Sequence, residues 1–227
     1  MSVIVKICGL KTVEALSAAL DARADMVGFV FFPRSPRHVD IDQAATLSAL
    51  TGIRSKKVAL TVDASDEALS AIINALKPDL LQLHGHETPE RTAEIRSRFG
   101  IPVMKALGVA SVADLFNVKA YEQVADHLLF DAKPPRNAAL PGGNGLIFDW
   151  QILSDLDLAK PFMVSGGLDP SNVATALVMT GARGVDVSSG VETAPGIKDP
   201  ARITAFIDAA KRVHPHGTQR NQEDQVS

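Results

Sequence analysis

Residues 161–190 read PFMVSGGLDPSNVATALVMTGARGVDVSSG. An apolar run at 161–165 is followed by two glycines, an amphipathic stretch at 171–181 and a second apolar run at 184–189. Short apolar runs predict strands, and apolar residues at helical spacing predict the helix between them. A strand, a helix and a further strand pair in parallel through a crossover connection, so this stretch predicts a βαβ unit.

The same alternation runs through the rest of the chain. Six further strands are predicted before this unit, at 3–8, 26–31, 57–62, 80–84, 102–107 and 127–132. Eight such units predict an α/β fold, a closed (β/α)8 TIM barrel with eight parallel strands and surrounding helices. The alternative is a doubly wound open sheet, but the N-terminal unit lacks the glycine fingerprint typical of that fold.

Composition and charge limit the classes of function. Of the 227 residues, 46% are hydrophobic and 22% charged, which is typical of a soluble globular domain. The 23 basic residues against 26 acidic ones give no field for attracting nucleic acid or a membrane surface. We expect a cytoplasmic protein, because no signal peptide precedes the first strand and no apolar run reaches the ~18 residues of a membrane span. We also expect a single barrel domain over 1–213 and a disordered tail over 214–227.

Alternation along the strands places several polar side chains inside the barrel, because successive residues of a strand point to opposite faces. Strand 8 neighbours strand 1 in a closed barrel, and buried charges need partners. Lys6 and Asp186 are therefore expected to interact in the lower part of the lumen. The full set predicted for the lumen is Lys6, Cys8, Gln82, His84, Asp131, Asp186 and Ser188.

Cys8 is the only cysteine, so no internal disulfide forms, which fits a reducing compartment. Its place at the end of the first strand makes it a candidate base or nucleophile, because active sites of such barrels lie at the carboxyl ends of the strands. The alternative is a buried thiol that acts as a small hydrophobic side chain. His84 is interpreted first as a hydrogen-bonded residue at the barrel mouth. With His86 it lacks the further ligands of a metal site, so we expect no metal.

Glycine-rich and serine-rich turns follow the last two predicted strands. Loops at these positions bind phosphate in many barrels, because glycines let backbone amides approach an anion and a helix N-terminus favours negative charge. Each turn alone is more often only a tight turn, but together they favour phosphate binding. No GxxxxGK[ST] sequence is present, so nucleotide triphosphate chemistry has no support. The candidate phosphate group is Gly166, Gly167, Ser188, Ser189 and Gly190.

Eight short motifs, in unbroken order over roughly residues 3–213, resemble those of the phosphoribosylanthranilate isomerase family. They are KICGL, GFVFFPRSPR, QLHG, FDAK, GGNGLIFDW, SGGLDPSNV, GVDVSSGVE and PGIKD. The resemblance implies a (β/α)8 enzyme of tryptophan biosynthesis that uses no cofactor. Such an enzyme converts N-(5-phosphoribosyl)anthranilate, a phosphosugar joined to anthranilate, into its 1-deoxyribulose isomer by an Amadori rearrangement.

The resemblance also implies roles for individual residues. Asp131 would be the acid that protonates the ribose ring oxygen, and Cys8 the base that removes the C2′ proton. Arg37 would hold the anthranilate carboxylate, whereas without the family it would be a solvated loop arginine. His84 and Asp186 join the phosphate group as substrate-binding candidates. A monomer is expected.

Two positions depart from the family pattern. Asn144 stands in GGNG where the family usually shows threonine, and the third strand reads ALTVDAS. Two other functions stay open. One is another phosphosugar barrel such as indole-glycerol-phosphate synthase, whose lysine and glutamate residues we do not find here, and the other is a barrel that binds a phosphate ligand without catalysis.

Overall fold

Eight parallel strands close into a barrel in the order in which they occur in the chain, and the first strand pairs with the eighth. This arrangement belongs to a computed structural model that describes residues 2–133, 142–143, 145, 148–154 and 156–213. The predicted barrel is confirmed, and the doubly wound sheet is excluded. The strands are β1 (Ile4–Cys8), β2 (Met26–Phe31), β3 (Lys56–Thr61), β4 (Leu80–Leu83), β5 (Val103–Val109), β6 (His127–Ala132), β7 (Phe162–Val164) and β8 (Gly184–Val187).

The connections between strands carry the surrounding helices. After β5 the chain forms only a 3-10 turn at Val112–Leu115 and a short helix, and 3-10 turns also occur at Trp150–Leu153 and Ser189–Val191. The α-helices of the described residues are α1 (Val13–Asp21), α2 (Ile41–Thr51), α3 (Asp66–Leu76), α4 (Pro89–Phe99), α5 (Val118–Val124), α6 (Val173–Thr180) and α7 (Pro200–Lys211). None of these helices is long and apolar enough to cross a membrane.

Two details differ from the sequence-based expectation. The last strand was expected to run to 189, but it ends at Val187 and a 3-10 turn follows. A small antiparallel hairpin, β9 (Glu192–Ala194) and β10 (Ile197–Lys198), lies between β8 and α7. Its strands of three and two residues are too short to show a period-2 pattern. The predicted tail at 214–227 lies outside the described residues.

Local sequence signals set the ends of α4. The side chain of Thr88 accepts a hydrogen bond from the backbone N–H of Arg91, and Pro89 occupies the first turn, where a missing N–H costs nothing. Gly100 ends the helix in the left-handed region, at φ 64°, which glycine adopts without a steric penalty. Such boundaries fix the length of each connection and so the position of each strand end.

The barrel interior is filled in layers that alternation along the strands dictates. Its lower layer is apolar and comprises Met26, Val58, Leu80, Met104, Leu129 and Met163. Gln82 lies two positions after Leu80 on β4, and Lys6 lies two positions after Ile4, which packs against this layer. Lys6, Gln82 and Asp186 are all buried. The apolar layer closes the barrel below, so the polar side chains face the carboxyl ends of the strands.

Candidate active site

One pocket at the carboxyl ends of the strands collects most of the predicted site residues. It is lined by Cys8 from β1, Asp131 from β6 and His84, which directly follows β4. Other predicted residues in its wall are Arg37, Gly166, Gly167, Asp186, Ser188 and Ser189. Residues spread over most of the chain length therefore meet in one cavity.

Lys6 and Asp186 form the expected buried ion pair beneath this pocket. The Lys6 Nζ atom lies 2.9 Å from Asp186 Oδ1, and Ser165 Oγ donates a hydrogen bond of 3.5 Å to Asp186 Oδ2. Burial alone would lower the pKa of Lys6, but Asp186 and Cys8 outweigh it and raise that pKa. Lys6 is therefore a permanent positive charge, and the Asp186 carboxylate is already engaged by protein groups.

Cys8 packs against Val30 and Leu60 and is 3% exposed. The neighbouring strand β2 leaves space for the thiol at Gly28, because a Cβ added there would lie 3.0 Å from Cys8 Sγ and 3.1 Å from Lys6 Cε. Burial raises the pKa of the Cys8 thiol, Asp186 adds to the increase, and Lys6 and Lys198 oppose it. The nearby positive charge is thus present, as the proposed base requires, but it does not outweigh burial.

Asp131 and His84 form a second polar pair at the mouth. Asp131 Oδ2 lies 3.3 Å from His84 Nε2, and Asp131 Oδ1 accepts a hydrogen bond of 2.9 Å from the Ala132 backbone N–H. On the other side of the ring, Gln82 Nε2 lies 3.1 Å from His84 Nδ1. A Cβ added at Gly142 would lie 2.6 Å from Asp131 Oδ2. The backbone after β6 therefore passes directly over this pair, and a larger residue at 142 would displace the side chains of Asp131 and His84.

Arg37 is 5% exposed, which excludes a solvated loop arginine. Its Nε and Nη2 atoms donate to the two carboxylate oxygens of Glu192 at 2.8 and 2.9 Å, and Nη2 also donates to the Gly143 carbonyl at 3.2 Å. A bidentate pair of this kind fixes the plane of the guanidinium group. The remaining nitrogen, Nη1, lies beside Gly143, at 2.6 Å from where a Cβ would stand.

Glu192 also holds Lys198, whose Nζ lies 2.7 Å away. Burial would raise the pKa of Glu192, but Arg37 and Lys198 outweigh it and lower that pKa, so the carboxylate stays ionised. Burial lowers the pKa of Lys198 despite the opposing charge of Glu192. Lys198 Nζ donates to the Ser188 carbonyl at 2.8 Å, so the hairpin is joined to the end of β8.

The loops after β7 and β8 touch each other, as the phosphate hypothesis requires. A Cβ added at Gly190 would lie 1.8 Å from the Leu168 carbonyl oxygen, so the close approach depends on glycine. Gly166 and Gly167 have φ of 88° and 63°, in the region that favours glycine. The Ser188 hydroxyl already donates to the Cys8 carbonyl at 3.2 Å and accepts from Lys198. Gly190 does not line the pocket.

Several residues of the site received no role from sequence reasoning. Glu192, Lys198, Gly142 and Gly143 lie within the motifs GVDVSSGVE, PGIKD and GGNG, but no spacing rule shows what they contact. Gln82 was placed in the lumen without a function. Asn144 lies outside the described residues. Within the described part of the chain, no group of three or more His, Cys, Asp or Glu side chains is arranged to hold a metal ion.

Comparisons with known proteins give one consistent result. A family model described as N-(5′phosphoribosyl)anthranilate (PRA) isomerase matches residues 5–209. N-(5′-phosphoribosyl)anthranilate isomerases of Rhodopseudomonas palustris strain BisB5 and of Nitrobacter winogradskyi are 62% and 58% identical over 211 residues. These alignments cover 93% of this chain and 97% and 94% of the two relatives.

Solved structures of relatives agree in fold. The crystal structure of phosphoribosyl anthranilate isomerase from Thermotoga maritima is 35% identical, with a TM-score of 0.83, and covers 92% of this chain and 98% of the relative. A phosphoribosyl anthranilate isomerase in complex with reduced 1-(o-carboxyphenylamino)-1-deoxyribulose 5-phosphate is 34% identical, with a TM-score of 0.80 and the same coverage. On sequence and fold, the chain belongs to the N-(5′-phosphoribosyl)anthranilate isomerase family.

Proposed function

We propose that this chain converts N-(5-phosphoribosyl)anthranilate into 1-(2-carboxyphenylamino)-1-deoxyribulose 5-phosphate, a step of tryptophan biosynthesis. The main support for this function is that Cys8 and Asp131 line one pocket at the carboxyl end of the barrel, in a chain of the isomerase family. The reaction is an Amadori rearrangement by general acid and base catalysis. Membership of the family argues against the synthase reading of the fold.

Asp131 is proposed as the acid. Opening of the ribose ring to a Schiff base requires a proton at the ring oxygen, and a carboxyl group within hydrogen-bond reach supplies it. The Ala132 N–H and the His84 ring hold both oxygens of Asp131 in place. Because Gly142 adds no side chain above the pair, a substrate can approach the carboxyl group from the pocket side.

Cys8 is proposed as the base that removes the C2′ proton and so gives an enolamine. The thiolate is the active form, and no covalent bond through sulfur is needed. Lys6 lies beside the thiol beneath the pocket and favours its ionisation. The Schiff base formed in the first step carries a positive charge, which acidifies the C2′ proton and stabilises a thiolate nearby.

The two ends of the substrate are proposed to bind on opposite sides of these groups. The proposed phosphate position lies against Gly166, Gly167 and Ser189, through backbone amides in part, and Gly190 allows the close approach of the two loops without lining the pocket. The Ser188 hydroxyl already bonds to the Cys8 carbonyl and Lys198, so Ser188 positions the loop that follows β8. Asp186 supports the site from below through Lys6.

Arg37 is proposed to bind the anthranilate carboxylate through Nη1, since Glu192 occupies the other edge of the guanidinium group. We expect Arg37→Lys to raise KM about tenfold to hundredfold with kcat within a few fold, because a charge-assisted hydrogen bond contributes ~1.5–3 kcal/mol. Steady-state kinetics test this, with the exposed Arg34→Lys as the matched control. An unchanged KM in Arg37→Lys would remove Arg37 from the carboxylate site.

The raised pKa of Cys8 sets the pH dependence of kcat/KM, which reports the free enzyme. The active form needs a protonated Asp131 and an ionised Cys8. At pH values where the acid is mostly ionised and the thiol is not yet ionised, each pH unit reduces the protonated acid tenfold and increases the thiolate tenfold, so kcat/KM stays constant. At higher pH the thiolate no longer increases and the acid continues to be lost.

We therefore expect the falling basic limb of kcat/KM to report Cys8, with a midpoint above ~8.5, the ordinary value for a thiol. Alkylation by iodoacetamide measures the same ionisation independently, because Cys8 is the only thiol in the chain. The alkylation rate should rise with pH and reach half its maximum at the same pH as the midpoint of the basic limb. A midpoint at or below ~8.5 in either measurement would contradict the raised thiol pKa.

The proposed activity is tested by adding purified protein to N-(5-phosphoribosyl)anthranilate and following the fluorescence of the substrate. Consumption of the substrate supports the isomerase. Tight binding without turnover, in well-folded protein, would favour the barrel that only binds a phosphate ligand.

The remaining parts of the proposal concern assembly and place. We propose that the protein is cytoplasmic and monomeric, with one catalytic domain over 1–213. A relative from Thermotoga maritima is described as dimeric, and monomers of it have been generated. Light scattering on the purified protein distinguishes the two states.

A further inference from the structure

A chain of three polar side chains leads from the barrel interior to the proposed acid. Gln82 is fully buried, and its Nε2 atom lies 3.1 Å from Nδ1 of His84. On the far side of the ring, His84 Nε2 lies 3.3 Å from Asp131 Oδ2. Gln82 and Asp131 thus contact the two nitrogens of one imidazole, and the state of one nitrogen determines that of the other.

The observed orientation of the Gln82 amide fixes one arrangement of protons. A neutral imidazole carries a proton on one nitrogen only. Where the amide NH2 group donates to Nδ1, that nitrogen must be bare, so the proton is on Nε2 and points at Asp131. This arrangement matches an ionised Asp131 carboxylate, which is the form that has no proton to deliver.

The same amide fits a second arrangement. Gln82 Oε1 is buried and has no hydrogen-bond partner among the described residues. If the amide turns over, Oε1 accepts a hydrogen bond from a proton on Nδ1. His84 Nε2 and Asp131 Oδ2 then share one further proton between them. We call the His84–Asp131 pair loaded in this state, because it holds the proton that the ribose ring oxygen needs. Gln82 Oε1 then has a hydrogen-bond donor, the Nδ1 proton of His84.

We propose that Gln82 is a positioning residue that couples the orientation of its amide to the proton held by His84 and Asp131. A proton from solvent binds Nδ1, the amide turns to accept from it, and the proton already on Nε2 is then shared with Asp131 Oδ2. Asp131 gives this shared proton to the ribose ring oxygen. Nδ1 then returns its proton to solvent while Nε2 takes a proton from solvent, and the amide turns back. The inference rests on the proposed function, in which Asp131 is the acid.

Other charged and titratable groups near the pair already have partners or face another part of the pocket. Lys6 is paired with Asp186, and Arg37 with Glu192. Cys8 is the remaining titratable group in the pocket lining, and it packs against Val30 and Leu60. Gln82 is thus the only described side chain with a hydrogen bond to Nδ1 of His84.

Gln82→Glu and Gln82→Met separate this coupling from simple support of the fold. An ionised glutamate only accepts, so in Gln82→Glu the proton of His84 should move from Nε2 to Nδ1. In Gln82→Met only Asp131 still contacts the ring, so the proton should stay on Nε2. Nitrogen-15 NMR of histidine-labelled protein reads the tautomer directly, with the His84 signals identified by their loss in His84→Gln. Gln123→Glu, an exposed glutamine on α5, is the matched control and should leave the His84 signals unchanged.

The pH profile of kcat/KM is the second measurement. Because the added negative charge and the fixed Nδ1 proton favour the loaded pair, Gln82→Glu should move the acidic limb up by about one pH unit or more. Gln82→Met should lower kcat without raising this limb. A residue that only supports the fold would lower kcat/KM at every pH without moving the limb.

The two ideas fail in different ways. If wild-type protein does not turn over, the proposed function is wrong, whatever the NMR shows. If wild-type protein is active but His84 keeps its proton on Nε2 in Gln82→Glu, the coupling is wrong. An active Gln82→Glu whose tautomer changes while the acidic limb stays in place would also overturn it.

Discussion

Replacing Cys8 by serine or alanine should lower kcat/KM by about 10²- to 10⁴-fold, the usual contribution of one general base. Serine keeps a polar atom at the position but is a far weaker base than a thiolate, and alanine offers none. KM should change little, because Cys8 contacts neither end of the substrate in the proposed pose. The fold should persist, because the site lies above the apolar layer of the barrel and loses at most one heavy atom.

The sharper readout is the isotope effect on the C2′ proton. When the base is removed, abstraction of this proton becomes the slowest step, so substrate deuterated at C2′ should react more slowly than protiated substrate by a larger factor than with the wild type. Thermal unfolding and binding of reduced 1-(o-carboxyphenylamino)-1-deoxyribulose 5-phosphate serve as controls for the fold. Near wild-type turnover in Cys8→Ala would show that another group removes the proton.

The reason that Cys8 was found from sequence is geometric. Period-2 alternation put Lys6 and Cys8 on one face of β1, and barrel closure put Asp186 beside Lys6, so an ion pair across 180 residues was predicted and is confirmed. The direction of the Cys8 pKa shift could not be predicted from sequence, because burial and Asp186 raise this pKa while Lys6 and Lys198 lower it. Their balance depends on distances that residue spacing does not give.

The partner of Arg37 shows where such reasoning ends. Glu192 is 155 residues away and lies in a hairpin whose strands are too short for a periodic pattern. Nothing in the local sequence shows that the Glu192 carboxylate contacts the loop after β2, which carries Arg37. Likewise, GGNG indicates a turn, but only coordinates show that Gly142 passes over Asp131 and that Gly143 lies beside Arg37.

Replacing Asp131 by asparagine should also lower kcat/KM by about 10²- to 10⁴-fold, for a different reason. The amide has the shape of the carboxyl group, and its oxygen can still accept from the Ala132 N–H, so the local structure should be kept. It has no proton to give to the ribose ring oxygen. Ring opening then becomes the slowest step, and removal of the C2′ proton follows it.

The isotope effect therefore separates the two residues. With Asp131→Asn, substrate deuterated at C2′ should react as fast as protiated substrate, because the labelled bond breaks after the slow step. With Cys8→Ser the same label should slow the reaction clearly. Equal isotope effects in the two variants would mean that acid and base act in one step, and the assignment of ring opening to Asp131 alone would be wrong. A single pair of labelled and unlabelled substrates thus tests the order of the two proton transfers as well as the residues that carry them.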